Sequence, residues 1–324
     1  MMKVSILVPV YGVEKFIEKC ARSLLGQTYE NIEYIFVDDC SPDKSVEILE
    51  NVIAQYNREP VSIIRHEKNK GLGASRLTAL KAATGDYILN VDSDDFIELD
   101  AVSLLVEEAV KMQADVVRFN GYFEWDKTRS IYRGNWSPSP SEYTCMLLSA
   151  KTLPGVCFHL IRRSLYIDNN LYPREGINVA EDYVLTPRLC FHANKIAQVE
   201  TPLYHYIQTN MQSYVTSFSE NKITSLSLAV DILRDYFFDK PRFLAALSDG
   251  VWQKKVELML KCRRKDYEII DRLLSTWMPL STTSMNIQQK IAAPLVARRC
   301  WTLLDVYSKL YNIVFITVQY IKGR

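Results

Sequence analysis

The sequence predicts an α/β fold: a doubly wound domain with a mostly parallel sheet flanked by helices, followed by a helical C-terminal region. Apolar, β-branched runs alternate with amphipathic stretches from the N-terminus to about Leu99, as in repeated strand–helix–strand units. The runs are continuously apolar, which is typical of parallel strands covered on both faces. From Ile223 onward the sequence has long helical periods instead. We therefore assign residues 1–219 to the first domain and residues 220–324 to the helical C-terminal region.

The predicted elements follow one another regularly over the first 123 residues. The strands are Val4–Val8, Ile32–Val37, Val61–Arg65, Tyr87–Val91 and Asp115–Phe123. The helices are Glu14–Leu25, Ser45–Gln55, Gly73–Ala83 and Ala101–Met112. Right-handed helical crossovers between successive strands imply parallel pairing. Asp100 is placed to cap the last of these helices, and the polar, proline-containing stretch 124–141 is predicted to be irregular.

Composition argues against several classes of protein. The 39 lysines and arginines nearly balance the 38 acidic residues, so no sequence-wide charge favours a nucleic-acid partner. Seven scattered cysteines lack the close pairs of a zinc site and indicate thiols in a reducing compartment. The apolar run Val4–Val10 contains Pro9 and precedes no cleavage pattern, so we interpret it as a strand and expect a cytoplasmic protein.

Polar residues follow the predicted strands where a ligand is expected. In an open parallel sheet, ligands bind beyond the carboxyl ends of the strands. The segments after the first four strands are Pro9-Val10-Tyr11, Asp38-Asp39, His66 to Gly71, and Asp92-Ser93-Asp94-Asp95. Acidic groups and a glycine-containing loop are therefore expected to meet at one edge of the sheet.

Asp92-Ser93-Asp94 indicates a metal–phosphate site. Adjacent carboxylates repel one another unless a cation or a donor neutralises them. Mg²⁺ or Mn²⁺ commonly takes one or two carboxylates and leaves its other positions to water and phosphates. The i, i+2 spacing directs Asp92 and Asp94 to the same side and Asp95 elsewhere. In the alternative interpretation these acids cap a helix or solvate a loop. A calcium loop is excluded because Phe96 occupies its next ligand position.

Two further segments have a chemical and a structural interpretation. Asp38 and Asp39 are candidates for hydrogen bonds to a base or ribose, or for turn formation. The glycines of the loop Asn69–Gly73 match neither phosphate-loop pattern and fit a turn. Arg76, one turn into the next helix, is a candidate for contact with a phosphate or with an acidic partner.

Glu181-Asp182 precedes the amphipathic segment Tyr183–His192. Acids in the first turn of a helix are favoured by its dipole, which is a structural explanation. A carboxylate here is also a candidate general base if folding brings it near the Asp92–Asp94 edge. Among the four histidines, His205 is the candidate for an additional metal or phosphate contact.

The order of these segments closely resembles the family-2 glycosyltransferases. The segments concerned are Val4 to Tyr11, Gln27-Thr28-Tyr29, Val37 to Asp43, Asn69-Lys70-Gly71, Ala83 to Ile88 and Asp92 to Asp95. The resemblance resumes at Arg162 to Leu165, Glu181-Asp182 and Pro202 to Tyr206. It implies a GT-A, Rossmann-like fold, a UDP-sugar or other nucleotide-diphosphate sugar donor, and Mn²⁺ or Mg²⁺ as cofactor. The acceptor would be a glycan or a lipid-linked molecule.

The resemblance also implies a role for individual residues. Asp39 would contact the base, Asp92 the ribose or the metal, and Asp94 the metal, with His205 as a further candidate ligand. Asp182 falls where the family places its catalytic base. The expected donor-nucleotide site comprises Pro9, Val10, Tyr11, Asp38, Asp39, Asn69, Gly71, Arg76, Asp92 and Ser93. The chain departs from the family at Leu77-Thr78-Ala79, where Asn and then Thr-Gly are frequent, and at His159, where Lys is frequent.

Residues 285–324 combine apolar and aromatic residues with arginine and lysine. We interpret this region as a candidate contact with an anionic membrane surface, at the inner face of the cell membrane. The alternative is a helix packed on the catalytic domain or on a second subunit. The apolar stretch Ile313–Val318 is far shorter than the roughly 20 residues needed to span a bilayer.

Two other functions are weighed against glycosyl transfer. A non-catalytic sugar-nucleotide-binding module would not need the expected base, Asp182. A nucleotidyltransferase would be expected to have a first loop rich in glycine and basic residues, unlike Pro9–Glu14.

Overall fold

A computed structural model of the protein describes residues 2–210, 220–274 and 285–310. The chain forms two compact units. The first comprises Met1–Leu147 and Thr152–Ser217, and the second comprises Leu148–Lys151 and Phe218–Arg324. The part of the predicted C-terminal region beyond residue 310, including Ile313–Val318, lies outside the described residues.

The first unit is built on one nine-stranded sheet in the order β3-β2-β1-β4-β8-β6-β9-β5, with β7 paired to β6. The strands are β1 (Val4–Val10), β2 (Ile32–Asp38), β3 (Val61–Arg65), β4 (Tyr87–Asn90), β5 (Phe96–Ile97), β6 (Val116–Glu124), β7 (Arg129–Tyr132), β8 (His159–Arg162) and β9 (Ile196–Ile207). Its helices are α1 (Ile17–Leu25), α2 (Ser45–Ile53), α3 (Leu72–Ala82), α4 (Ala101–Met112), α5 (Pro140–Leu148, whose last residue belongs to the second unit), α6 (Arg163–Asp168) and α7 (Glu181–His192).

The predicted parallel half of the sheet is confirmed. Strands β3, β2, β1 and β4 pair in parallel, and every residue of β1 and β2 is buried. Helix α1 packs Ile17, Cys20 and Leu24 into the same core as Val4, Ile6 and Val8 of β1. Burial on both faces therefore explains why these strands are rich in apolar residues and could be predicted from the sequence.

The other half of the sheet is mixed: β6 and β9 pair in parallel, whereas the remaining pairings there are antiparallel. Strand β8 runs antiparallel to β4 and β6, and β5 runs antiparallel to β9. Strand β7 forms an antiparallel hairpin with β6, which corrects the prediction that 124–141 is wholly irregular. These strands are short or irregular: β9 changes register against β6 at two places near Asn120.

The second unit is helical, as predicted. Its helices are α8 (Glu220–Tyr236), α9 (Pro241–Lys261), α10 (Tyr267–Leu273), α11 (Ile287–Ala297) and a helical segment at 301–310. Inside it, Lys255 is buried and donates to Asp271 at 2.6 Å. Within the described ranges, none of the helices is both long enough and apolar enough to cross a membrane.

Candidate functional site

The carboxyl ends of β1, β2 and β4 lie at one edge of the sheet. Val10 at the end of β1 pairs with Asp38 at the end of β2. The backbone N–H of Val91, just after β4, donates to the Leu7 carbonyl of β1 at 3.0 Å. Because the three strands are parallel, the residues that follow them share this edge.

Of the segment Pro9-Val10-Tyr11 at the end of β1, only Tyr11 has a largely accessible side chain. Pro9 pairs with Val37 inside the sheet, and Val10 is buried. The Val10 carbonyl accepts from the Asp39 N–H at 2.9 Å. Tyr11 is 45% exposed, so its ring is the part of this segment available to a ligand.

Asp39 anchors the loop that follows β3. Its buried carboxylate accepts from the backbone N–H groups of Lys70 (2.9 Å) and Gly71 (2.7 Å). Asp39 also lies 2.7 Å from His66 Nδ1, and His66 Nε2 lies 2.9 Å from the Thr78 hydroxyl. His66 is a structural partner that the sequence analysis did not single out. The signal for it was its position directly after β3, beside the acid that follows β2.

Asp38 has the local bond of a turn former. Its Oδ1 accepts from the Ser41 N–H at 2.8 Å, and its carbonyl accepts from the His66 N–H at 2.9 Å. Cys40, between Asp38 and Ser41, has a φ of 61°, a left-handed conformation. These contacts fit the turn interpretation of the Asp38 side chain.

Gly71 and Gly73 bring the start of α3 against the segment that precedes α7. Gly71 has a φ of +88°, which favours glycine. A Cβ on Gly73 would overlap the Arg174 carbonyl, and the Gly73 N–H donates to Asn178 Oδ1 at 3.3 Å. These glycines therefore permit a close approach as well as a turn. Asn69 is exposed.

Arg76 joins three carboxylates from two distant parts of the sequence. Its Nη2 donates to Asp92 at 2.7 Å, and its Nη1 donates to Glu181 at 2.8 Å and to Asp182 at 2.6 Å. The Arg76 side chain is only 2% exposed. A single guanidinium thus holds Asp92, which follows β4, and both acids in the first turn of α7. Arg76 therefore contacts acidic partners rather than lying on the surface.

Burial shapes the electrostatics of this cluster. Burial alone would lower the pKa of Arg76, but the charges of Asp182, Asp92 and Glu181 raise it well above its usual value. Burial raises the pKa of Asp182, and the Arg76 charge opposes that rise. Burial and the neighbouring Asp182 raise the pKa of Glu181. The cluster holds three acids against one cation, so a further positive charge nearby would be favoured.

Asp94 and Asp95 have different environments. Asp95 is buried and accepts from the Tyr204 hydroxyl and the Ile207 N–H, both at 2.7 Å. Asp94 accepts from the Asn210 amide at 2.8 Å. Burial and the negative charge of Asp92 raise the pKa of Asp94 to about 6. An amide is neutral, so Asp94 has a charge that Asn210 does not cancel. Ser93, between Asp92 and Asp94, is buried.

The donor set at this edge fits a divalent cation held by few protein ligands. Within the described ranges, no group of three or more His, Cys, Asp or Glu side chains is arranged as a metal site. Asp94 and the Asp92 oxygen not bonded to Arg76 are the carboxylate oxygens available. Mg²⁺ and Mn²⁺ sites that bind phosphates commonly use one or two carboxylates. The residues therefore fit such an ion.

The two singled-out histidines are both fully engaged in the structure. His205 stacks between Phe96 and Tyr122, and its ring nitrogens lie 3.0 Å from Glu98 and 2.7 Å from Glu124. Because both ring nitrogens already have carboxylate partners, we do not propose His205 as a metal ligand. His159 is buried, and burial lowers its pKa to about 3. It is therefore a neutral core residue.

The fold and this edge define an α/β protein with a cluster of acidic residues at the carboxyl ends of its parallel strands, and comparison with known sequences gives its family. The profile described as "Glycosyl transferase family 2" matches residues 5–169. The chain belongs to this family of transferase enzymes. It is 34% identical over 229 residues to "Putative glycosyltransferase EpsH" and 36% identical over 211 residues to "Uncharacterized glycosyltransferase EpsJ", both of Bacillus subtilis. These matches cover 68% and 63% of this chain, and 65% and 60% of those relatives.

Solved structures show the same fold. The structure of Staphylococcus aureus TarS 1–349 in complex with UDP-GlcNAc superposes with a TM-score of 0.72 at 20% identity, covering 100% of this chain and 93% of that one. The mannosyltransferase PcManGT from Pyrobaculum calidifontis, in complex with GDP-Man and Mn²⁺, gives 0.55 at 14% identity, covering 96% and 86%. The chain therefore has the GT-A fold.

Proposed function

We propose that this protein is an inverting glycosyltransferase that moves a sugar from a nucleotide-diphosphate sugar, most directly a UDP-sugar, to an acceptor hydroxyl. The observation that supports this best is the contact of Arg76 with both Asp92 and Asp182. It brings the carboxylate proposed as base to the same edge as the carboxylates proposed for the donor and its metal. The TarS structures with UDP-GlcNAc and with UDP support a uridine donor.

Asp182 is the proposed general base. A carboxylate whose pKa is raised by burial is a stronger proton acceptor while it remains ionised. Asp182 would take the proton of the acceptor hydroxyl as that oxygen attacks the anomeric carbon. The bond from this carbon to the diphosphate oxygen breaks, and the diphosphate leaves with the electron pair. A single displacement of this kind inverts the anomeric centre.

The donor would lie along the strand ends. Tyr11 is the accessible ring beside the first strand, while Asp39 and the loop that it anchors would meet the base or ribose. Asp94, with Asp92, would hold Mn²⁺ or Mg²⁺, which stabilises negative charge on the departing diphosphate when bound. Arg76 is proposed to fix the orientation of Asp182.

The acceptor is proposed to be a glycan or a lipid-linked molecule of a bacterial surface polysaccharide. This rests on the relatives, among them the poly(ribitol-phosphate) β-N-acetylglucosaminyltransferase TarS, which is 29% identical over 223 residues and covers 67% of this chain and 37% of that protein.

The test of the base is the variant Asp182→Asn. Water replaces the acceptor in slow donor hydrolysis, so UDP release from UDP-GlcNAc and UDP-glucose can be measured without knowing the acceptor. We expect UDP release to fall by about 10²–10⁴-fold while UDP affinity stays near wild type. The control is Asp100→Asn, an exposed acid at the start of α4, which should leave both unchanged. Unchanged hydrolysis in Asp182→Asn would remove this residue as the base.

A further inference from the structure

We infer that the outward faces of α11 and of the helical segment 301–310 dock on an anionic lipid bilayer. This surface lies in the helical unit and does not depend on the proposed function of the sheet edge.

Helix α11 has apolar side chains on both of its faces. Gln289, Ala292, Ala293 and Val296 are buried, whereas Ile287 is 77% and Ile291 is 51% exposed. At about 100° per residue, Ile287, Ile291 and Pro294 fall within an arc of roughly 60° opposite the buried residues. An ordinary surface helix carries polar residues on that side.

The segment 301–310 repeats this arrangement. Leu304 and Ser308 face inward, and the Ser308 hydroxyl donates to the Leu260 carbonyl at 2.7 Å. Leu303, Val306 and Leu310 are all more than half exposed. Their i, i+3, i+7 spacing places them on one stripe, away from the inward residues.

Hydrogen bonds make these two helices neighbours. The Tyr307 hydroxyl donates to the Gln288 carbonyl of α11 at 3.5 Å. Arg264 Nη2 donates to the Thr302 hydroxyl at 3.0 Å, which brings the basic segment 263–265 beside the same helix. The exposed apolar stripes therefore belong to one region of the unit, bordered by cations.

The positive charge of this region favours an anionic bilayer over a second copy of the chain as its partner. Residues 261–324 contain eleven lysines and arginines and four acids, a formal charge of +7, which leaves −6 for residues 1–260. Lys290, Arg298 and Arg299 are exposed at or after α11. A second copy of this surface would oppose like charges, whereas an anionic bilayer offers negative charge and an apolar layer for the isoleucines and leucines.

The test is sedimentation of the full-length protein with vesicles of phosphatidylcholine alone and of phosphatidylcholine mixed with phosphatidylglycerol. We expect binding only to the anionic vesicles, weakened by added NaCl. Lys290→Glu with Arg298→Glu should lower the partition coefficient roughly 25-fold or more, since each surface cation contributes about fivefold. Ile287→Glu with Ile291→Glu should lower it by at least about tenfold.

The matched control is Val110→Glu, an exposed apolar residue on α4 of the other unit, which should bind vesicles like wild type. Thermal unfolding of each variant separates lost docking from misfolding. Failure of the folded wild-type protein to bind anionic vesicles would overturn the proposal. So would a wild-type dimer that Ile287→Glu with Ile291→Glu converts to a monomer while vesicle binding is unchanged. UDP binding by the same proteins is measured in parallel, because it tests the proposed donor site independently of vesicle binding.

Discussion

Arg76 is a buried cation on which three carboxylates depend. Removing one partner of a buried ionic cluster leaves uncompensated charge and typically destabilises a protein by about 3–5 kcal/mol. We expect Arg76→Met to lower the free energy of unfolding by this order at pH 8, as measured by urea denaturation. Without Arg76 the folded-state pKa values of Glu181 and Asp182 rise further above their unfolded values. The loss should therefore grow as pH rises from 5 to 8.

The control for this variant is Arg22→Met. Arg22 forms an exposed i, i+4 pair with Glu18, and its loss should change stability much less, with no comparable pH dependence. Equal effects of the two substitutions would contradict the role given to Arg76.

Asp94 should destabilise the metal-free protein at neutral pH. Its pKa is about 6 in the folded protein, against a usual value of 3.8, so the folded state binds the proton more tightly than the unfolded state does. Asp94→Asn should therefore raise stability by roughly 1–3 kcal/mol above pH 6. The gain should shrink as pH falls and vanish below about pH 3.8, a trend that thermal unfolding at several pH values measures. A gain that persists at low pH would contradict the assignment.

The acidic residues of the site were readable from sequence, but their partners were not. Asp92, Asp94 and Asp182 follow strand and helix boundaries that local patterns predict. The bond between Arg76 and Asp182 spans 106 positions, and no local pattern encodes such a contact. For the same reason the contact between His66 and Asp39 was not predicted, because Asp39 follows the neighbouring strand β2.

At the scale of elements, α3 and α7 are joined by the close approach at Gly73. Gly73→Ala should push away residues 174–177, disturb the start of α7, and lower both stability and UDP release from a UDP-sugar. Gly176→Ala is the matched control in the same segment. Gly176 has a φ of +85° but no atom within 4 Å of an added Cβ. Gly176→Ala should lower the free energy of unfolding by about 1 kcal/mol and reduce UDP release only slightly. Equal loss of activity in both variants would argue against this coupling.

Prediction succeeded for elements with strong local patterns. Strands β1 and β2 are rich in apolar residues because they are buried along their whole length. The two-residue β5 and four-residue β8 carry too little periodicity to be recognised, and β9 includes the exposed residues Glu200 and Thr201. The pairing of those strands depends on distant neighbours, so the mixed half of the sheet could not be predicted from sequence.

For the whole molecule, we keep the division at residues 219 and 220 as a proposal, with donor binding assigned to the first domain. Hydrogen exchange measured by mass spectrometry tests this. UDP with Mn²⁺ should slow exchange in peptides covering residues 7–12, 36–41 and 90–95, and leave peptides from 241–273 unchanged. Protection confined to 241–273 would contradict the assignment.

The central claim is a metal-dependent nucleotide site at the carboxyl edge of the sheet. Calorimetric titration of UDP with and without Mn²⁺, for wild type and for Asp94→Ala, tests it most directly. We predict binding by the wild type that is strengthened by Mn²⁺, and loss of that strengthening in Asp94→Ala. Equal Mn²⁺ dependence in the two proteins would contradict the metal role of Asp94, and absence of binding of UDP, GDP, CDP and dTDP alike would contradict the donor site itself.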